Sequence, residues 1–453
     1  MIRRVLVANR GEIAVRVIRA CHELGIEAVA VYSTADRDSL AVRLADQAVC
    51  IGPPPAAQSY LGVSNVIAAA TTTGCDAIHP GYGFLSENSD FVRACADNDL
   101  IFVGPSPHVM EIMGDKASAK QAMREAGLPL VPGSPGRLAS PEEAEPIAAA
   151  AGYPVLLKAA AGGGGRGMRH VDRAEDLGDL FRAASQEAQA AFGDGGMYLE
   201  KVVIAAHHVE IQVLCDAFGG VLVCGERECS IPRRHQKLLE EAPSPFLDDV
   251  TRTAMAEAAE KACKAISYLN AGTIEFLVGA DRQFYFMEMN TRLQVEHPVT
   301  EAVTGIDLVR EQLRVASGER LSRTGRAEMR GHAIEFRINA EDPSKGFLPS
   351  AGLVTRFDPP LGPGVRVDTH AFSGYRMPPT YDSLLAKVIV HAEDRDACIM
   401  RSVRALRETV IEGIKTTRDL HLDVLRESRF RSGLYTTAYI DDAAADLPHL
   451  GSP

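Results

Sequence analysis

The sequence has no long apolar run, no paired-cysteine motif and no excess of basic residues. No stretch approaches the roughly 18 apolar residues of a membrane-spanning helix, and the apolar run 5–8 is too short for a signal peptide. The nine cysteines include no CxxC pair, which excludes the usual zinc and redox spacings. We therefore expect a soluble protein of the reducing cytoplasm whose cysteines are structural.

The charge balance excludes one broad class of partner. Acidic residues outnumber Lys and Arg by 60 to 48, a net charge of -12, whereas nucleic-acid binding needs a basic excess. An apolar fraction of 46% is ordinary for a globular protein. A chain of 453 residues exceeds one hydrophobic core, so about two to four domains are expected.

Short apolar runs alternate with helical patterns in the first third of the chain. This alternation predicts a parallel sheet with helices on both faces, with strands at 5–8, 28–32, 77–78 and 101–103. The first turn, Asn9 to Glu12, lacks G-x-G-x-x-G, which argues against a dinucleotide-binding oxidoreductase. A Pro- and Gly-rich stretch at 128–136 predicts a hinge before a small unit that extends to about residue 203.

A glycine run follows Lys158 at the end of a predicted strand. Residues 161–168 read AGGGGRGM, and successive glycines can turn their N–H groups towards one phosphate. The spacing does not match a P-loop. With Lys158 before the run and Arg166 within it, we interpret the segment as a lid over a nucleotide; a flexible surface loop is the alternative.

Two acidic residues lie on a predicted hairpin formed by 273–278 and 283–290. Glu275 and Glu288 can approach across the hairpin, and two neighbouring carboxylates repel unless a cation lies between them. Oxygen ligands of this kind suit Mg²⁺, whereas two exposed acids are the alternative interpretation.

The segment that follows the hairpin, 290–298, is dense in polar groups. Arg292 offers a planar fork for an anion, and Glu296 could act as a base towards it. His297 precedes a proline and is interpreted as a structural hydrogen-bonding residue. The basic run 233–237 is followed at once by Glu240 and Glu241, so a neutralised surface patch is one interpretation of it.

Together these segments resemble the biotin carboxylase family of ATP-grasp enzymes nearly from end to end. The matching segments are 8–21, 79–88, 113–116, the glycine loop, 207–213, 233–237, 288–301 and 337–343. The resemblance implies an α/β and α+β fold: a Rossmann-like N-terminal domain (1–113), an ATP-grasp core (114–317) with a glycine-rich lid (about 132–203), and a C-terminal domain (330–445). ATP is expected between lid and core.

The resemblance also implies roles for individual residues. The implied catalytic residues are Lys237, Arg292, Glu296 and Arg337. The residues implied to bind bicarbonate are Lys237, Arg292, Val295 and Glu296. The residues implied to bind biotin are Tyr82 and Arg337. The implied metal ligands are Glu275, Glu288 and Asn290. The implied ATP-binding residues are Lys116, Lys158, Gly163, Gly164, Gly165, Glu200, Lys201, Val203, His208, His235, Glu275 and Glu288.

The implied reaction is ATP-dependent carboxylation of biotin through carboxyphosphate, with Mg²⁺ or Mn²⁺. It is the first half-reaction of acetyl-CoA or another acyl-CoA carboxylase, leading to malonyl-CoA and fatty acid synthesis. The sequence has no Met-Lys-Met biotin-attachment motif, so biotin is expected on a carrier protein, with a carboxyltransferase as a further partner. A homodimer is implied, with Arg16, Glu23 and Arg366 at its interface.

Other interpretations remain open. One is an ATP-grasp ligase that joins a carboxylate to an amine, and others are the corresponding part of a pyruvate or propionyl-CoA carboxylase and a non-catalytic homologue. The sequence departs from the family pattern at Ala161, where glycine is common, and at Pro232, where glutamine is common. The change at Ala161 affects a phosphate contact, and the change at Pro232 affects a polar contact near the nucleotide ribose.

Overall fold

A computed structural model describes residues 2–160, 168–233 and 236–451 and divides the chain into two compact units. The first unit comprises Met1–Leu128, His207–Phe276 and Glu288–Pro453, and the second comprises Pro129–Ala206 and Leu277–Met287. The boundary after Leu128 falls in the stretch predicted to be a hinge. The first unit draws on all three predicted sequence domains, so the division at 1–113, 114–317 and 330–445 stays a prediction.

The first unit begins with the predicted parallel sheet, in the order β3-β2-β1-β4-β5. The apolar residues of β1 are fully buried at its centre. The sequence pattern did not reveal β3, because its side chains are mostly only partly buried. The strands are β1 (Arg4–Val7), β2 (Glu27–Ser33), β3 (Gln47–Gly52), β4 (Ala77–His79) and β5 (Ile101–Phe102); the helices are α1 (Gly11–Glu23), α2 (Leu40–Leu44), α3 (Val63–Thr72), α4 (Ser89–Asp97), α5 (Pro107–Gly114) and α6 (Lys116–Glu125).

The second unit is a small antiparallel sheet with helices. Its strand order is β7-β6-β8, and residues of α7, α8 and the sheet share one hydrophobic cluster. Its elements are α7 (Pro141–Ala151), β6 (Val155–Ala159), β7 (Met168–Val171), α8 (Leu177–Phe192) and β8 (Met197–Lys201). Residues 161–167, between β6 and β7, lie outside the described residues.

Another sheet has the strand order β13-β12-β9-β10-β11-β15-β22-β20, with β14 beside β10, where β20 is Val365–Thr369 and β22 is Leu384–Ala392. The predicted hairpin is confirmed as β12 and β13. Here the strands are β9 (His207–Cys215), β10 (Val221–Arg233), β11 (Gln236–Ala242), β12 (Asn270–Val278), β13 (Phe284–Asn290), β14 (Gly325–Arg326) and β15 (His332–Asn339), and the helices are α9 (Asp249–Ala265), α10 (His297–Thr304) and α11 (Leu308–Ala316).

The C-terminal part of the first unit packs its helices on this sheet around one large apolar core. Among the described residues, no helix combines the length and the apolar character needed to cross a membrane. The remaining elements are β16 (Glu341–Asp342), β17 (Leu348–Pro349), β18 (Gly352–Leu353), β19 (Arg356–Asp358), β20 (Val365–Thr369), β21 (Arg376–Met377), β22 (Leu384–Ala392), β23 (Val410–Glu412), α12 (Arg395–Glu408), α13 (Arg418–Val424), α14 (Ser428–Ser432) and α15 (Tyr439–Asp442).

Candidate active site

Glu296 lies at the N-terminus of α10 and is only 2% exposed. Its two carboxylate oxygens are held by two different cations: Oε1 accepts a hydrogen bond from Lys237 Nζ at 2.5 Å, and Oε2 accepts one from Arg337 Nη2 at 2.9 Å. Burial alone would raise the pKa of Glu296, but these cations outweigh burial and hold the pKa well below its ordinary value. Glu296 is therefore an ionised carboxylate in a buried site.

Lys237 is the hub of this cluster. Besides Glu296, its ammonium donates to Glu210 Oε2 at 2.6 Å and to Gln294 Oε1 at 3.3 Å. Burial opposes the charge of Lys237, but the surrounding thiol of Cys229 and the carboxylates raise its pKa well above the ordinary value. Sequence reasoning missed Glu210, although it lies within the matching segment 207–213.

Arg337, on β15, lies between two glutamates. Its Nε donates to Glu240 Oε1 at 2.7 Å, while Nη2 reaches Glu296. Glu240 and its neighbour Glu241 are fully buried, so the surface-patch interpretation of this run is wrong for these two residues. Sequence reasoning missed Glu240 because adjacent acids after a basic run look like a solvated surface.

Glu275 and Asn290 face each other across β12 and β13. Glu275 Oε1 accepts hydrogen bonds from Asn290 Nδ2 at 2.7 Å and from Gln294 Nε2 at 2.8 Å, and Oε2 lies 2.8 Å from His208 Nε2. Burial would raise the pKa of Glu275, but Lys237 and His208 lower it. The ligand atoms of His208, Glu210 and Glu275 lie within 4.8 Å of one another, a spacing that suits a metal ion.

Glu288 is exposed and does not belong to that group of ligand atoms among the described residues. Although the side chain as a whole is exposed, its carboxylate is partly shielded from water, and this desolvation together with repulsion by Glu275 raises the pKa of Glu288, while Lys116 lowers it. A divalent cation bound by both carboxylates would relieve this repulsion. The carboxylates of Glu275 and Glu288, with the side-chain amide of Asn290, therefore fit Mg²⁺.

Arg292 is fixed by a residue that sequence reasoning did not single out. Its Nε donates to Glu87 Oε2 at 2.7 Å, and its Nη2 donates to Asn290 Oδ1 at 3.0 Å. Glu87 also accepts a hydrogen bond from the Thr291 N–H at 3.0 Å. Glu87 lies within the matching segment 79–88, which was its only signal in the sequence.

Val295 and Tyr82 are each held by buried charged residues. The carbonyl oxygen of Val295 accepts a hydrogen bond from Lys387 Nζ at 2.7 Å, and the hydroxyl of Tyr82 donates to Glu12 Oε1. Tyr82 lines a cavity of about 340 Å³. The turn before it requires Gly81, because φ is +63° and a Cβ there would lie 3.0 Å from Asn9 Nδ2 and from Ile13 Cγ1.

Among the described residues, four of those predicted to bind the nucleotide lie in the second unit. Lys158 on β6 forms an ion pair with Glu200 on the neighbouring strand β8. Lys201 directs its ammonium to the carbonyl oxygen of Ala151 at 2.8 Å, at the C-terminal end of α7, where a cation is favourable. Val203 follows β8 and is partly buried.

The other predicted nucleotide residues divide between the first unit and the segments that are not described. Lys116 is exposed and is the first residue of α6. The preceding residue, Asp115, caps this helix by accepting a hydrogen bond from the Ser118 N–H at 2.8 Å. His208 is partly buried beside Glu275. Gly163, Gly164, Gly165 and His235 lie outside the described residues.

The predicted interface residues already have partners within the chain. Arg16 is buried and donates to Glu301 Oε1 at 3.0 Å, and Arg366 donates to Glu301 Oε2 at 2.7 Å. Glu23 is more exposed and lies 3.6 Å from Arg310. His297 is fully buried with Nδ1 2.8 Å from the carbonyl oxygen of Gln294, which confirms the structural interpretation of that histidine.

Three family models match the chain in sequence order. They are the biotin carboxylase N-terminal domain at 1–110, the ATP-binding domain of the carbamoyl-phosphate synthase L chain at 115–324, and the biotin carboxylase C-terminal domain at 335–442.

Individual relatives agree with these models. The chain is 53% identical over 440 residues to a biotin carboxylase of Nostoc, covering 97% of this chain and 98% of that protein. It matches the Campylobacter jejuni biotin carboxylase–β,γ-ATP complex at a TM-score of 0.90 and 50% identity, over 98% of this chain and 99% of that one. It also matches the biotin carboxylase domain dimer of Hydrogenobacter thermophilus 2-oxoglutarate carboxylase, solved with MgADP and bicarbonate. That match has a TM-score of 0.90 and 47% sequence identity, over 99% of both chains.

Proposed function

The chain belongs to the biotin carboxylase family, and from this premise we propose that it carboxylates biotin at the expense of ATP and bicarbonate. The observation that carries the proposal is the buried cluster in which Lys237 and Arg337 hold the two oxygens of Glu296. A ligase with an amine acceptor has no evident need for an ionised base between two cations beside Arg292. The cluster therefore favours bicarbonate as the group that is activated.

Glu296 is the proposed base. It takes the proton of bicarbonate, and the resulting oxyanion attacks the γ-phosphorus of ATP, which releases ADP and forms carboxyphosphate. In the free protein the cations make Glu296 a weak base, because they lower its pKa. A bicarbonate bound by Lys237, Arg292 and the backbone of Val295 would share these positive charges and so strengthen the base.

The nucleotide residues are proposed as the sequence predicts them. Lys116 and Lys158 neutralise phosphate charge, helped by the backbone of Gly163, Gly164 and Gly165. The remaining ATP contacts are assigned to Glu200, Lys201, Val203, His208 and His235. Glu275, Glu288 and Asn290 would hold Mg²⁺ or Mn²⁺, which when bound stabilises negative charge on the phosphates.

Biotin is the proposed acceptor. Carboxyphosphate breaks down to CO₂ and a phosphate anion, this phosphate takes the proton of the biotin ureido nitrogen, and the deprotonated nitrogen then forms a bond to CO₂. Arg337 would stabilise the anionic ureido oxygen, and Tyr82 would contact the ring, since it lines the cavity described above. Arg337 also touches Glu296, so one guanidinium serves both halves of the reaction.

We also propose the setting of this reaction. The biotin is attached to a carrier protein, the carboxyl group passes to a carboxyltransferase that acts on acetyl-CoA, and the enzyme is a cytoplasmic homodimer. Free cysteines throughout the chain are typical of a reducing compartment. Mass measurement with a biotinylated carrier protein present tests both the carrier complex and the dimer.

The activity is tested by ADP release from Mg-ATP with bicarbonate and free biotin added singly and together. We expect ADP release that depends on bicarbonate and is stimulated by biotin. No ADP release above background with both present would contradict the proposal. Release that depends instead on an added amine would identify the carboxylate–amine ligase alternative.

A further inference from the structure

Lys387, at the centre of β22, is a buried lysine that the proposed reaction does not use. Its side chain is fully buried, and its ammonium contacts the carbonyl oxygen of Val295 at 2.7 Å and Glu12 Oε1 at 3.1 Å. Glu12, on α1, is also buried, with 3% of its surface exposed. A buried ion pair between a sheet and a helix is unusual, because both charges lose their hydration.

Each partner of Lys387 either has a proposed substrate role or contacts a residue that has one. Val295 belongs to the proposed bicarbonate set, and the carbonyl that Lys387 binds is in the peptide bond that joins Val295 to Glu296. Glu12 accepts the hydroxyl hydrogen of Tyr82, a proposed biotin contact. A single ammonium therefore links the bicarbonate segment to the biotin residue.

The sheet also places Arg337, the third residue with a proposed substrate role, next to Lys387. Strands β15 and β22 are antiparallel, and Arg337 is the register partner of Lys387. Directly opposed side chains on neighbouring strands have Cβ atoms about 4.5–5.5 Å apart. Lys387 thus stands beside the guanidinium proposed to bind the ureido oxygen.

The environment keeps Lys387 charged. Burial would lower its pKa, but the carboxylates of Glu12, Glu335 and Asp368 outweigh burial and raise the pKa above its ordinary value. Removal of the ammonium would leave Glu12 as a buried charge without its counter-ion and the Val295 carbonyl without its donor. The carbonyl and the tyrosine would then both lose their fixed positions.

We propose that Lys387 and Glu12 are positioning residues that fix the Val295–Glu296 peptide and Tyr82 in one geometry, so that the activated carboxyl group forms next to biotin. Neither residue needs to touch a substrate. This inference rests on the proposed function, because it concerns how bicarbonate and biotin are aligned.

The test compares Lys387→Met and Glu12→Gln with the unaltered protein by steady-state kinetics, with free biotin, bicarbonate and Mg-ATP varied in turn. For Lys387→Met we expect the KM values of biotin and of bicarbonate each to rise about tenfold, with the KM of ATP nearly unchanged. For Glu12→Gln we expect the KM of biotin to rise more than that of bicarbonate, because Val295 keeps its donor.

Arg252→Met is the matched control. Arg252 donates from Nε to the buried Glu226 at 2.7 Å, so its removal also leaves a buried glutamate without its cation, but Arg252 has no proposed substrate role. We expect a lower melting temperature and unchanged KM values for biotin and bicarbonate. A purely structural role of Lys387 predicts the same pattern for Lys387→Met, and that result would overturn the inference.

Two further arms keep the outcomes distinct. If Lys387→Met does not fold, Glu12→Gln decides, since its amide keeps the shape but loses the negative charge that pairs with Lys387 and accepts the hydroxyl hydrogen of Tyr82. A raised biotin KM supports the inference, and an unaltered one refutes it. Failure of the proposed function would show differently, as an absence of biotin-stimulated ADP release from the unaltered protein.

Discussion

The cluster around Glu296 and the ion pair Lys158–Glu200 are both built from opposite charges, but they differ in burial and in connection. Glu296 is 2% exposed and is held by two cations, and its partner Lys237 has further partners in turn. The Lys158 side chain is 39% exposed and forms an ion pair with Glu200, whose side chain is 17% exposed. One region is a closed network that shields its central carboxylate from water, and the other is an open pair in that solvent reaches both of its side chains.

This difference separates two tasks of the proposed reaction. Buried charges with fixed partners need no reorganisation when charge develops, which is the main electrostatic advantage of an enzyme site. Solvent reaches both partners of the Lys158–Glu200 pair, so Lys158 can exchange Glu200 for a phosphate at a lower cost than a buried cation would incur on leaving its partner. We infer that the bicarbonate site is built in advance, whereas the phosphate contacts form when ATP binds.

Glu296→Gln is expected to have the largest effect, because it removes the base but preserves the shape. We expect turnover in the ADP-release assay to fall by about 10²- to 10⁴-fold, the usual contribution of a general base. ATP affinity, measured by calorimetry, should be retained, since Glu296 has no proposed nucleotide contact. Near-normal turnover would remove Glu296 from the role of base.

Arg337→Met is expected to separate the two halves of the reaction. Loss of the charge on the ureido oxygen should lower biotin carboxylation by about 10²- to 10³-fold. Bicarbonate-dependent ADP release without biotin should fall less, because Lys237 still holds Glu296. An equal loss in both assays would show that Arg337 acts on carboxyphosphate formation rather than on biotin.

Lys158→Met tests the open pair. We expect the KM of ATP to rise about tenfold through loss of a charge-assisted phosphate contact, with little change in melting temperature. Arg137→Met is the matched control, because Arg137 and Asp194 form another partly exposed ion pair of the second unit. A large fall in melting temperature for Lys158→Met alone would contradict the distinction between open pair and closed network.

The pH dependence of stability distinguishes the two buried acids of β11, Glu240 and Glu241. Burial raises the pKa of Glu240 from its ordinary value of 4.5 to about 7, and Arg337 only partly offsets this. The folded state thus binds a proton more tightly than the unfolded state, so the stabilisation is present below pH 4.5 and is lost as the pH rises to about 7. Relative to Glu240→Gln, the unaltered protein should lose on the order of 3 kcal/mol of unfolding free energy as the pH rises through this interval.

Glu241→Gln, at the next residue, is expected to change the pH dependence of stability in the opposite direction. Burial would raise the pKa of Glu241, but His332 and Arg395 lower it to about 2. The stabilisation of the folded state by Glu241 is therefore present above pH 4.5, its ordinary pKa, and is lost as the pH falls towards 2. Denaturant titrations of both variants across pH measure the two effects, and equal pH slopes for both variants would contradict this account of the buried acids.

Much of this organisation could be predicted from local patterns. Alternation of apolar runs and helical periods predicted the parallel sheet, and the turn between 278 and 284 predicted the β12–β13 hairpin on which Glu275 and Asn290 face each other. These features depend on spacing along the chain. The resemblance added the residues that local patterns cannot join, such as Lys237 and Arg337.

The partners of the site residues could not be predicted in the same way. Glu87 and Arg292 are 205 positions apart, and Lys387 and Val295 are 92 apart, so only the folded chain brings them together. Local sequence also gave no reason to expect Lys201 to direct its ammonium to the end of α7. Burial of Glu240 and Glu241 follows from the place of β11 within the sheet, which their acidic sequence conceals.

The most direct test of the central claim is transfer of isotopically labelled bicarbonate to free biotin with Mg-ATP, measured together with ADP release. We predict labelled carboxybiotin that requires ATP and that is lost in Glu296→Gln, together with ADP release. ADP release by the unaltered protein without any label on biotin would contradict the claim that this cluster activates bicarbonate for biotin.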